Sequence, residues 1–279
     1  MKTCLAFGII ADVQYADKET AENRNYRQAI NKLAACVDDF NSSQLDFVIQ
    51  LGDIIDGPDA GCRDMEDALG VFGGCRADTY SIVGNHDFVG ANREEVLSLL
   101  GLERSYYDFE RNGWRFVVLD TTEIGVQSGL AKGNRNYQIG EDMLARLEEQ
   151  NAVNAKCYNG AVSDEQKRWL KEVLRDASAK GQKAIVFGHG SLLPKSKFMV
   201  LNCDDVIEIF EGSGSVVAYF NGHVHSDMYA FSKGIHYFTI NAMVEDVEDN
   251  AYAVVEIENK QIRVNGKGTV GSRKISLCR

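Results

Sequence analysis

Short apolar runs recur along this chain of 279 residues, and polar side chains follow each of them at once. Five such runs extend over Cys4 to Ala11, Asp46 to Leu51, Tyr80 to Val83, Ala184 to Phe187 and Val216 to Phe220. Apolar runs of this kind are typical of strands buried on both faces of a sheet. Since parallel neighbours need long crossover connections, the pattern predicts an α/β fold with polar groups at the strand ends.

Helical patterns separate the early strands. Apolar residues between Asn23 and Asn41 recur at the spacing of an amphipathic helix. We also predict helices at Met65 to Phe72, at Glu141 to Val153, and from Ser163, where Ser-x-x-Gln resembles a capping box. Later strands are predicted on both sides of the Arg111-Asn112-Gly113 turn, and at Tyr237 to Ile240, Tyr252 to Ile257 and Gln261 to Val264.

We expect residues 1–279 to form a single domain. The chain has only 2 prolines and no Ser/Gly-rich stretch, which argues against a flexible linker. The region at about 124–161 is polar and weakly periodic, so we expect a surface excursion there. Its place in the chain suggests the hypothesis of a lid over a site.

Charge and cysteine content limit the partners and the location. With 41 acidic and 30 basic residues the formal net charge is −11, and the basic residues are scattered, so we expect no nucleic-acid partner. The run Cys4 to Ala11 is far short of the about 20 residues that span a bilayer, and no signal-peptide cleavage site follows it. The 7 irregularly spaced cysteines favour a reducing compartment, and we expect a cytoplasmic protein without a membrane partner.

Five polar clusters follow the apolar runs. They are Asp12-Val13-Gln14, Gly52-Asp53-Ile54-Ile55-Asp56, Gly84-Asn85-His86-Asp87, Gly188-His189 and Gly222-His223-Val224-His225. Their carboxylate, amide and imidazole groups are ligands that Mn, Fe or Zn accept. A helix cap, a turn or a structural histidine explains each cluster alone. However, four of the 5 histidines lie in these clusters, which favours a metal site, and we expect His236 to be structural.

The clusters resemble the motifs of the calcineurin-like metallophosphoesterase superfamily, which are D-x-H, G-D-x-x-D, G-N-H-D/E, G-H and G-H-x-H. All five occur in this order between Asp12 and His225. The one departure is Gln14, where most of the superfamily has histidine. The resemblance implies a four-layer α/β/β/α sandwich, in which two mixed sheets are flanked by helices.

One branch of that superfamily, the manganese-dependent ADP-ribose/CDP-alcohol diphosphatases, has D-x-Q in the first motif. The segments that resemble this branch are Ile10 to Asp17, Gln50 to Gly57, Gly84 to Phe88, Trp114 to Asp120, Asn159-Gly160 ahead of Ser163, and Gly234-Ile235-His236. Two features differ from the branch. The loop from Asp17 to Asn25 is short, and Gly188-His189-Gly190-Ser191 departs from the usual sequence.

The resemblance implies a centre of two divalent metal ions. Asp53 bridges the ions in this interpretation, Asp12, Gln14 and His225 complete one position, and Asn85, His189 and His223 complete the other. We expect Mn²⁺, because the amide oxygen of Gln14 is a hard donor, with Fe, Zn or Mg as alternatives. Two divalent ions would also attract an anionic substrate to this acidic protein.

The resemblance also assigns the catalytic roles. A hydroxide that bridges the metals is the implied nucleophile. His86 is implied to contact the scissile phosphate and to protonate the leaving oxygen. Asp87 is expected to accept the second ring N–H of His86 and so to fix its tautomer. We expect Asp56 to lie behind the ligands rather than on a metal.

The predicted function is hydrolysis of a phosphoric anhydride or phosphodiester bond in a small molecule, with ADP-ribose and CDP-alcohols as the best candidates. One alternative is a cyclic-nucleotide or glycerophosphodiester phosphodiesterase. Another is a non-catalytic scaffold with the same fold, which the intact motifs disfavour. Nothing in the sequence indicates an oligomeric state.

Substrate contacts are less specific in the sequence. Phe88, Tyr137 and Tyr158 are candidates for stacking on a nucleoside base. Arg24, Arg93 and Arg135 are candidates for contact with a second phosphate. Ordinary packing or surface exposure explains these residues better, and we assign none of them to the site.

Overall fold

The computed structural model describes residues 5–57, 62–258 and 260–277, so Cys4, where the first predicted strand begins, lies outside the described residues. The strands in these ranges are β1 Leu5–Ile10, β2 Phe47–Gln50, β3 Asp78–Ser81, β4 Tyr107–Arg111, β5 Trp114–Val118, β6 Ala184–Phe187, β7 Val216–Asn221, β8 Met228–Ser232, β9 Ile235–Thr239, β10 Ala251–Glu258, β11 Gln261–Gly268 and β12 Arg273–Ser276. The helices are α1 Ala29–Ser42, α2 Cys62–Phe72, α3 Arg93–Leu99, α4 Arg135–Glu149, α5 Asp164–Ala179 and α6 Cys203–Ser213, and a 3-10 turn covers His86–Phe88.

The strands form two mixed sheets of six strands each. The first has the order β12-β11-β10-β1-β2-β3, in which β1, β2 and β3 are parallel. The second has the order β4-β5-β6-β7-β9-β8, in which β5, β6, β7 and β9 are parallel. Antiparallel strands complete both sheets, so the predicted succession of crossover units and late hairpins is confirmed.

An aromatic core holds the two sheets face to face. The Phe47 ring of the first sheet lies 5.0 Å from the Phe116 ring of the second, and Phe7 lies 5.7 Å from Phe187. Burial of each such side chain contributes about 1.5–3 kcal/mol relative to exposure. The outer face of the first sheet packs on α1 and α2, and that of the second on α5 and α6. The predicted four-layer α/β/β/α sandwich is therefore confirmed.

The loops that follow the carboxyl ends of the parallel strands of both sheets lie together at one edge of the sandwich. The residues after β1 bond to those after β2, because the Asp12 N–H donates to the Gly52 carbonyl at 3.2 Å. In the second sheet, the Gly222 N–H after β7 donates to the carbonyl of His189 after β6 at 3.2 Å. The His189 ring reaches back to the Leu51 carbonyl of the first sheet at 2.8 Å. These contacts bring polar loops from both sheets to one edge.

Residues 124–161 leave the second sheet and return to it beside their starting point. Two backbone hydrogen bonds of 3.1 and 2.7 Å join Ile124 and Ala161 and close the segment at its base. An apolar cluster packs this base on Leu201 and on the inner side chains of α4. We refer to residues 124–161 as the excursion.

The helix predicted at Glu141 to Val153 is wrong at both ends, since α4 starts and finishes earlier. Asn134 caps its start, because its side chain accepts the backbone N–H of Asn136. Asn151, with a φ of 53°, stops the helix in the left-handed conformation that is common after helix C-termini.

Several elements were not predicted, namely α3, α6, β8 and β12. The N-cap expected at Ser163 is confirmed, because its side chain accepts the Gln166 N–H at 3.1 Å. The Gln166 side chain does not return to Ser163 and instead bonds to the backbone of Asp120. No helix within the described ranges is both long enough and apolar enough to cross a bilayer.

Candidate metal centre

All seven predicted ligands lie at the edge where the strand ends meet. His189 Nε2 lies 3.1 Å from Asp53 Oδ2 and 3.1 Å from His223 Nδ1. On the other side, His225 Nε2 lies 3.4 Å from Asp12 Oδ1 and 3.3 Å from Gln14 Nε2. Gln14 Nε2 connects the His225 side of the group with the His189 side, since it also lies 3.4 Å from Asp53 Oδ2. The seventh residue, Asn85, lines the same small cavity as His189 and His223.

Backbone conformation turns these side chains towards one another. Five of the seven residues have a positive φ, which is uncommon for residues other than glycine and costs about 1–3 kcal/mol each. They are Asp12 (50°), Gln14 (45°), Asp53 (53°), His223 (68°) and His225 (57°). Such strain persists only where the surrounding structure enforces it, and it is concentrated at functional sites.

Two of the glycines that lead the clusters are required by close approach. A Cβ atom at Gly84 would collide with Oδ1 of Asp53, and one at Gly222 would collide with Oδ2 of Asp12. Glycine therefore lets each carboxylate lie against the backbone of a neighbouring strand end.

Asp53 lies at the centre of the group and is fully buried. Its Oδ1 accepts the backbone N–H of His86 at 2.7 Å, and its Oδ2 faces His189 and Gln14. Burial opposes the charge on Asp53, but nearby His189 and His86 hold the pKa of its carboxyl below the usual range. The ligand atoms of Asp53, His189 and His223 lie within 4.8 Å of one another, a grouping that can hold a metal ion.

For two of the histidines, hydrogen bonds determine which ring nitrogen faces the ligand group. His189 Nδ1 lies 2.8 Å from the Leu51 carbonyl, which only accepts, so Nδ1 carries a proton and Nε2 faces the group. His225 Nδ1 lies 2.8 Å from Glu245 Oε1, which likewise turns Nε2 inward. Burial opposes protonation of both rings, yet Asp53 raises the pKa of His189 to about 10, and Asp12 and Glu245 raise that of His225 to about 9.

The chemistry of the group fits two divalent ions. Gln14 Oε1 and Asn85 Oδ1 are buried and have no hydrogen-bond partner. An unpaired buried acceptor costs about 1–3 kcal/mol, so such atoms are rare unless a ligand satisfies them. Carboxylate and amide oxygens with imidazole nitrogens make a donor set that Mn²⁺ and similar ions accept.

The expected contact between Asp87 and the His86 ring is wrong. The Asp87 carboxylate points away from His86 and accepts the backbone N–H groups of Gly84 at 2.8 Å, Ile54 at 2.9 Å and Asp53 at 3.0 Å. Burial and the charge of Asp53 raise the pKa of Asp87 to about 7, although these N–H groups favour its charged form. Asp87 therefore holds together the backbone of the second and third clusters.

Asp56 takes the place that was predicted for Asp87. Its Oδ1 lies 3.0 Å from His86 Nδ1, and Lys18 and Arg24 lie beside the same carboxylate. Burial opposes the charged form of His86, but Asp53 and Asp56 raise its pKa above the ordinary value. The position of Asp56 behind the ligands agrees with the expectation.

Most candidate substrate residues are engaged in the protein itself. Phe88 is only 4% exposed, and the Arg93 guanidinium covers its ring at 4.7 Å. Arg93 also pairs with buried Asp120. Tyr137 is 9% exposed. Tyr158 differs, because its ring is half-buried and lies 5.7 Å from the ring of His223.

The sequence analysis missed several neighbours of the group, among them Gln127, Glu245 and Phe198. Glu245 lies in an acidic loop five residues after the predicted strand Tyr237 to Ile240, and nothing in its sequence context distinguishes it from Asp246 or Glu248. Phe198 packs on Tyr158 with ring centroids 5.6 Å apart and also contacts His223. His236 lies in β9 and pairs with Tyr229 Oη at 2.8 Å, away from the ligand group.

Comparison with known proteins agrees with the geometry of the ligand group, because the similar proteins are metal-dependent phosphoesterases. The family model for calcineurin-like phosphoesterases matches residues 5–227. The manganese-dependent ADP-ribose/CDP-alcohol diphosphatase of Arabidopsis thaliana is 32% identical over 92% of this chain and 95% of its own length. The rice protein of that name is 33% identical over 86% of this chain and 84% of its length. A dimetal phosphatase from Danio rerio superposes with a TM-score of 0.90 at 26% identity, covering 98% of this chain and 99% of the other.

These similarities extend over most of the chain, and the range matched by the family model contains all five motifs. The superfamily, the fold and the class of enzyme predicted from the motif series are thereby confirmed. The chain belongs to the calcineurin-like phosphoesterase family.

Proposed function

We propose that the chain is a manganese-dependent hydrolase that splits the phosphoric anhydride of ADP-ribose and of CDP-alcohols into two monophosphates. The observation that carries the proposal is the convergence of seven potential ligands, with buried Asp53 at their centre and two unpaired amide oxygens among them. The Arabidopsis and rice relatives are named for this activity. Gln14 turns Nε2 towards Asp53 and His225, and rotation of its amide group would bring the unpaired Oε1 to the same position. This hard oxygen donor supports Mn²⁺ over softer ions.

In this proposal, each metal position has its own ligands. Asp12, Gln14 and His225 hold one ion, Asn85, His189 and His223 hold the other, and Asp53 serves both. When bound, two divalent ions would polarise phosphate oxygens and lower the pKa of a coordinated water towards about 7.

His86 acts as the general acid in this proposal. Its Nδ1 is held by Asp56 at 3.0 Å, which leaves Nε2 for the substrate. The ring is partly exposed, unlike the buried ligands. Nε2 donates its proton to the leaving oxygen, and the Asp56 carboxylate stabilises the ring while it is charged.

A substrate panel tests the proposal. Purified protein is stripped with a chelator and assayed with ADP-ribose, CDP-choline, cyclic AMP and methyl p-nitrophenyl phosphate, each with added Mn²⁺, Zn²⁺ or Mg²⁺. We expect Mn²⁺ to restore the highest rates, on the two diphosphates. Turnover of cyclic AMP alone would favour a cyclic-nucleotide phosphodiesterase, and a protein that binds no metal and turns over nothing would favour a scaffold.

Tyr158 and Phe198 supply the aromatic surface for the nucleoside base in this proposal. Stacking contributes about 1–3 kcal/mol per base, so Tyr158→Ala should raise KM for ADP-ribose by about 5- to 150-fold. Steady-state kinetics on ADP-ribose measure this change. Methyl p-nitrophenyl phosphate, which carries no base, is the control, and an equal rise in its KM would contradict a base-stacking role.

We also infer that residues 1–279 form one domain, because both sheets contribute to one apolar core. A single cooperative unfolding transition is the expected readout.

A cytoplasmic location is supported by the cysteines. Five of them are free thiols in the described part of the chain, namely Cys36, Cys62, Cys75, Cys157 and Cys203. Fractionation of the source cells tests this location.

A further inference from the structure

The excursion brings two amide side chains, Gln127 and Asn159, into contact with the ligand group. We infer that these are positioning residues for one of the two metal positions, Gln127 through Asn85 and Asn159 through His223. The inference rests on the proposed ligand set. It gives the excursion a role in preparing the metal site, in place of the lid that its position in the sequence suggested.

The orientation of the Asn159 amide follows from its neighbours. Its Nδ2 lies 2.9 Å from the Asn154 carbonyl and 2.8 Å from the Lys197 carbonyl. Both partners are acceptors only, so the NH₂ group must face them. The Asn159 oxygen then faces His223 Nε2 at 3.0 Å, in a buried environment.

The amide oxygen in turn decides the tautomer of His223. An amide oxygen can only accept, so His223 Nε2 carries the proton. A neutral imidazole has one N–H, and Nδ1 therefore presents its lone pair. This Nδ1 lies 3.1 Å from His189 Nε2, and His223 belongs to the grouping around Asp53. Without Asn159, the proton on Nε2 would lose its acceptor, and the tautomer with the proton on Nδ1, which lacks the lone pair at the metal position, would become accessible.

Gln127 orients the second ligand. Asn85 Nδ2 donates to Gln127 Oε1 at 3.2 Å, which turns the nitrogen of Asn85 towards the excursion. Asn85 Oδ1 is then left buried without a partner, as a metal ligand requires. Each amide of the excursion thus leaves a lone pair free on the ligand that it contacts, Asn159 on His223 and Gln127 on Asn85.

Both contacts concern the same metal position. Asn85 and His223 belong to the position completed by His189. The other position depends on His225, which is oriented by Glu245 from outside the excursion. Loss of the excursion contacts should therefore weaken one position and spare the other, whereas loss of Glu245 should do the reverse.

The test is a Mn²⁺ titration of chelator-stripped protein, with free Mn²⁺ followed by electron paramagnetic resonance. We expect Asn159→Ala and Gln127→Ala each to weaken one of two sites by about 10- to 100-fold and to leave the other unchanged. Glu245→Gln should weaken the second site. An equal loss at both sites in Asn159→Ala would overturn the inference.

Two further variants separate orientation from loop stability. Asn159→Asp loses both bonds to the carbonyls but keeps an oxygen opposite His223 Nε2, so it should retain most of the Mn²⁺ affinity. Asn154→Ala removes side-chain bonds to Val200 and Leu201 in the same region without touching His223, and it should bind Mn²⁺ as the wild type does. If Asn159→Asp binds as weakly as Asn159→Ala, or Asn154→Ala matches that loss, the orienting role is wrong.

A spectroscopic readout completes the experiment. In metal-free protein labelled with ¹⁵N-histidine, NMR should show a protonated Nε2 in His223, and Asn159→Ala should give a mixture of tautomers. A protonated Nδ1 in the wild type would overturn the inference. Neither readout uses turnover, so a protein that binds two ions but does not hydrolyse ADP-ribose would overturn the proposed function alone.

Discussion

Replacement of His86 by alanine is expected to lower kcat on ADP-ribose by about 10²- to 10⁴-fold, the usual range for loss of a general acid. Two Mn²⁺ ions should remain bound, because the His86 side chain pairs with Asp56, which is not a proposed ligand. The backbone N–H of residue 86 still donates to Asp53 in the variant, so the ligand group keeps this support. Steady-state kinetics together with metal analysis of the same preparation check both parts.

A series of methyl aryl phosphates with increasingly basic leaving groups tests the acid role directly. An acid catalyst matters most where the leaving oxygen is most basic. The rate of His86→Ala should therefore fall more steeply along the series than the rate of the wild type. Equal slopes for the two enzymes would mean that His86 does not protonate the leaving oxygen.

Asp56→Asn is the matched variant for this experiment. It keeps the His86 ring and its position but removes the charge that stabilises the protonated form. We expect a smaller fall in kcat, about 10- to 100-fold, as is typical when the partner of a functional histidine is lost. A fall as large as that of His86→Ala would mean that Asp56 does more than orient the ring.

The position of the site could be predicted because it depends on strand ends, which the sequence marks clearly. Apolar runs followed by Asp12, Asp53 and Asn85 identify parallel strands, and parallel strands place their carboxyl ends at one edge. Histidines after β6 and β7 identify the same edge of the second sheet. Local sequence patterns at the strand ends were therefore enough to identify the seven ligands, although these are spread along the chain between Asp12 and His225.

The partners behind the ligands could not be predicted in the same way. Asp56 and Asp87 each lie within or beside a motif, and the resemblance to the superfamily led us to expect Asp87 as the partner of His86. The 3-10 turn at His86–Phe88 instead directs the Asp87 side chain towards the backbone N–H groups of the second cluster. Which carboxylate reaches a ring depends on the packing of two loops, and this information is absent from either motif alone.

The excursion shows the same limit. Its polar composition predicted a surface excursion, but the ends of α4 depend on the N-cap Asn134 and on the left-handed backbone of Asn151, and apolar periodicity reveals neither. The side chains of Gln127 and Asn159 reach the ligands only because Ile124 and Ala161 close the segment beside the site. Glu245 is a comparable case, since its contact with His225 spans 20 residues of irregular loops and strands.

Asp53→Asn should have the largest effect on metal binding, because in the proposed site only Asp53 serves both ions. The asparagine can still accept the backbone N–H of His86, so the loop conformation is supported. It cannot supply the negative charge that offsets two divalent cations in a buried environment. We expect bound Mn²⁺ to fall from two ions per chain to one or fewer.

Hydrolysis should fall with the metals in this variant. Two-metal stabilisation of a phosphoryl transition state is worth several kcal/mol, so the rate on ADP-ribose should drop by about 10³-fold or more. Asp56→Asn is again the matched control, since it removes a neighbouring buried carboxylate that is not a proposed ligand and should keep both ions. Thermal unfolding of the metal-free proteins separates loss of fold from loss of metal. If Asp53→Asn retained two ions and wild-type turnover, Asp53 could not be the shared ligand, and the two positions would have to be held by separate groups.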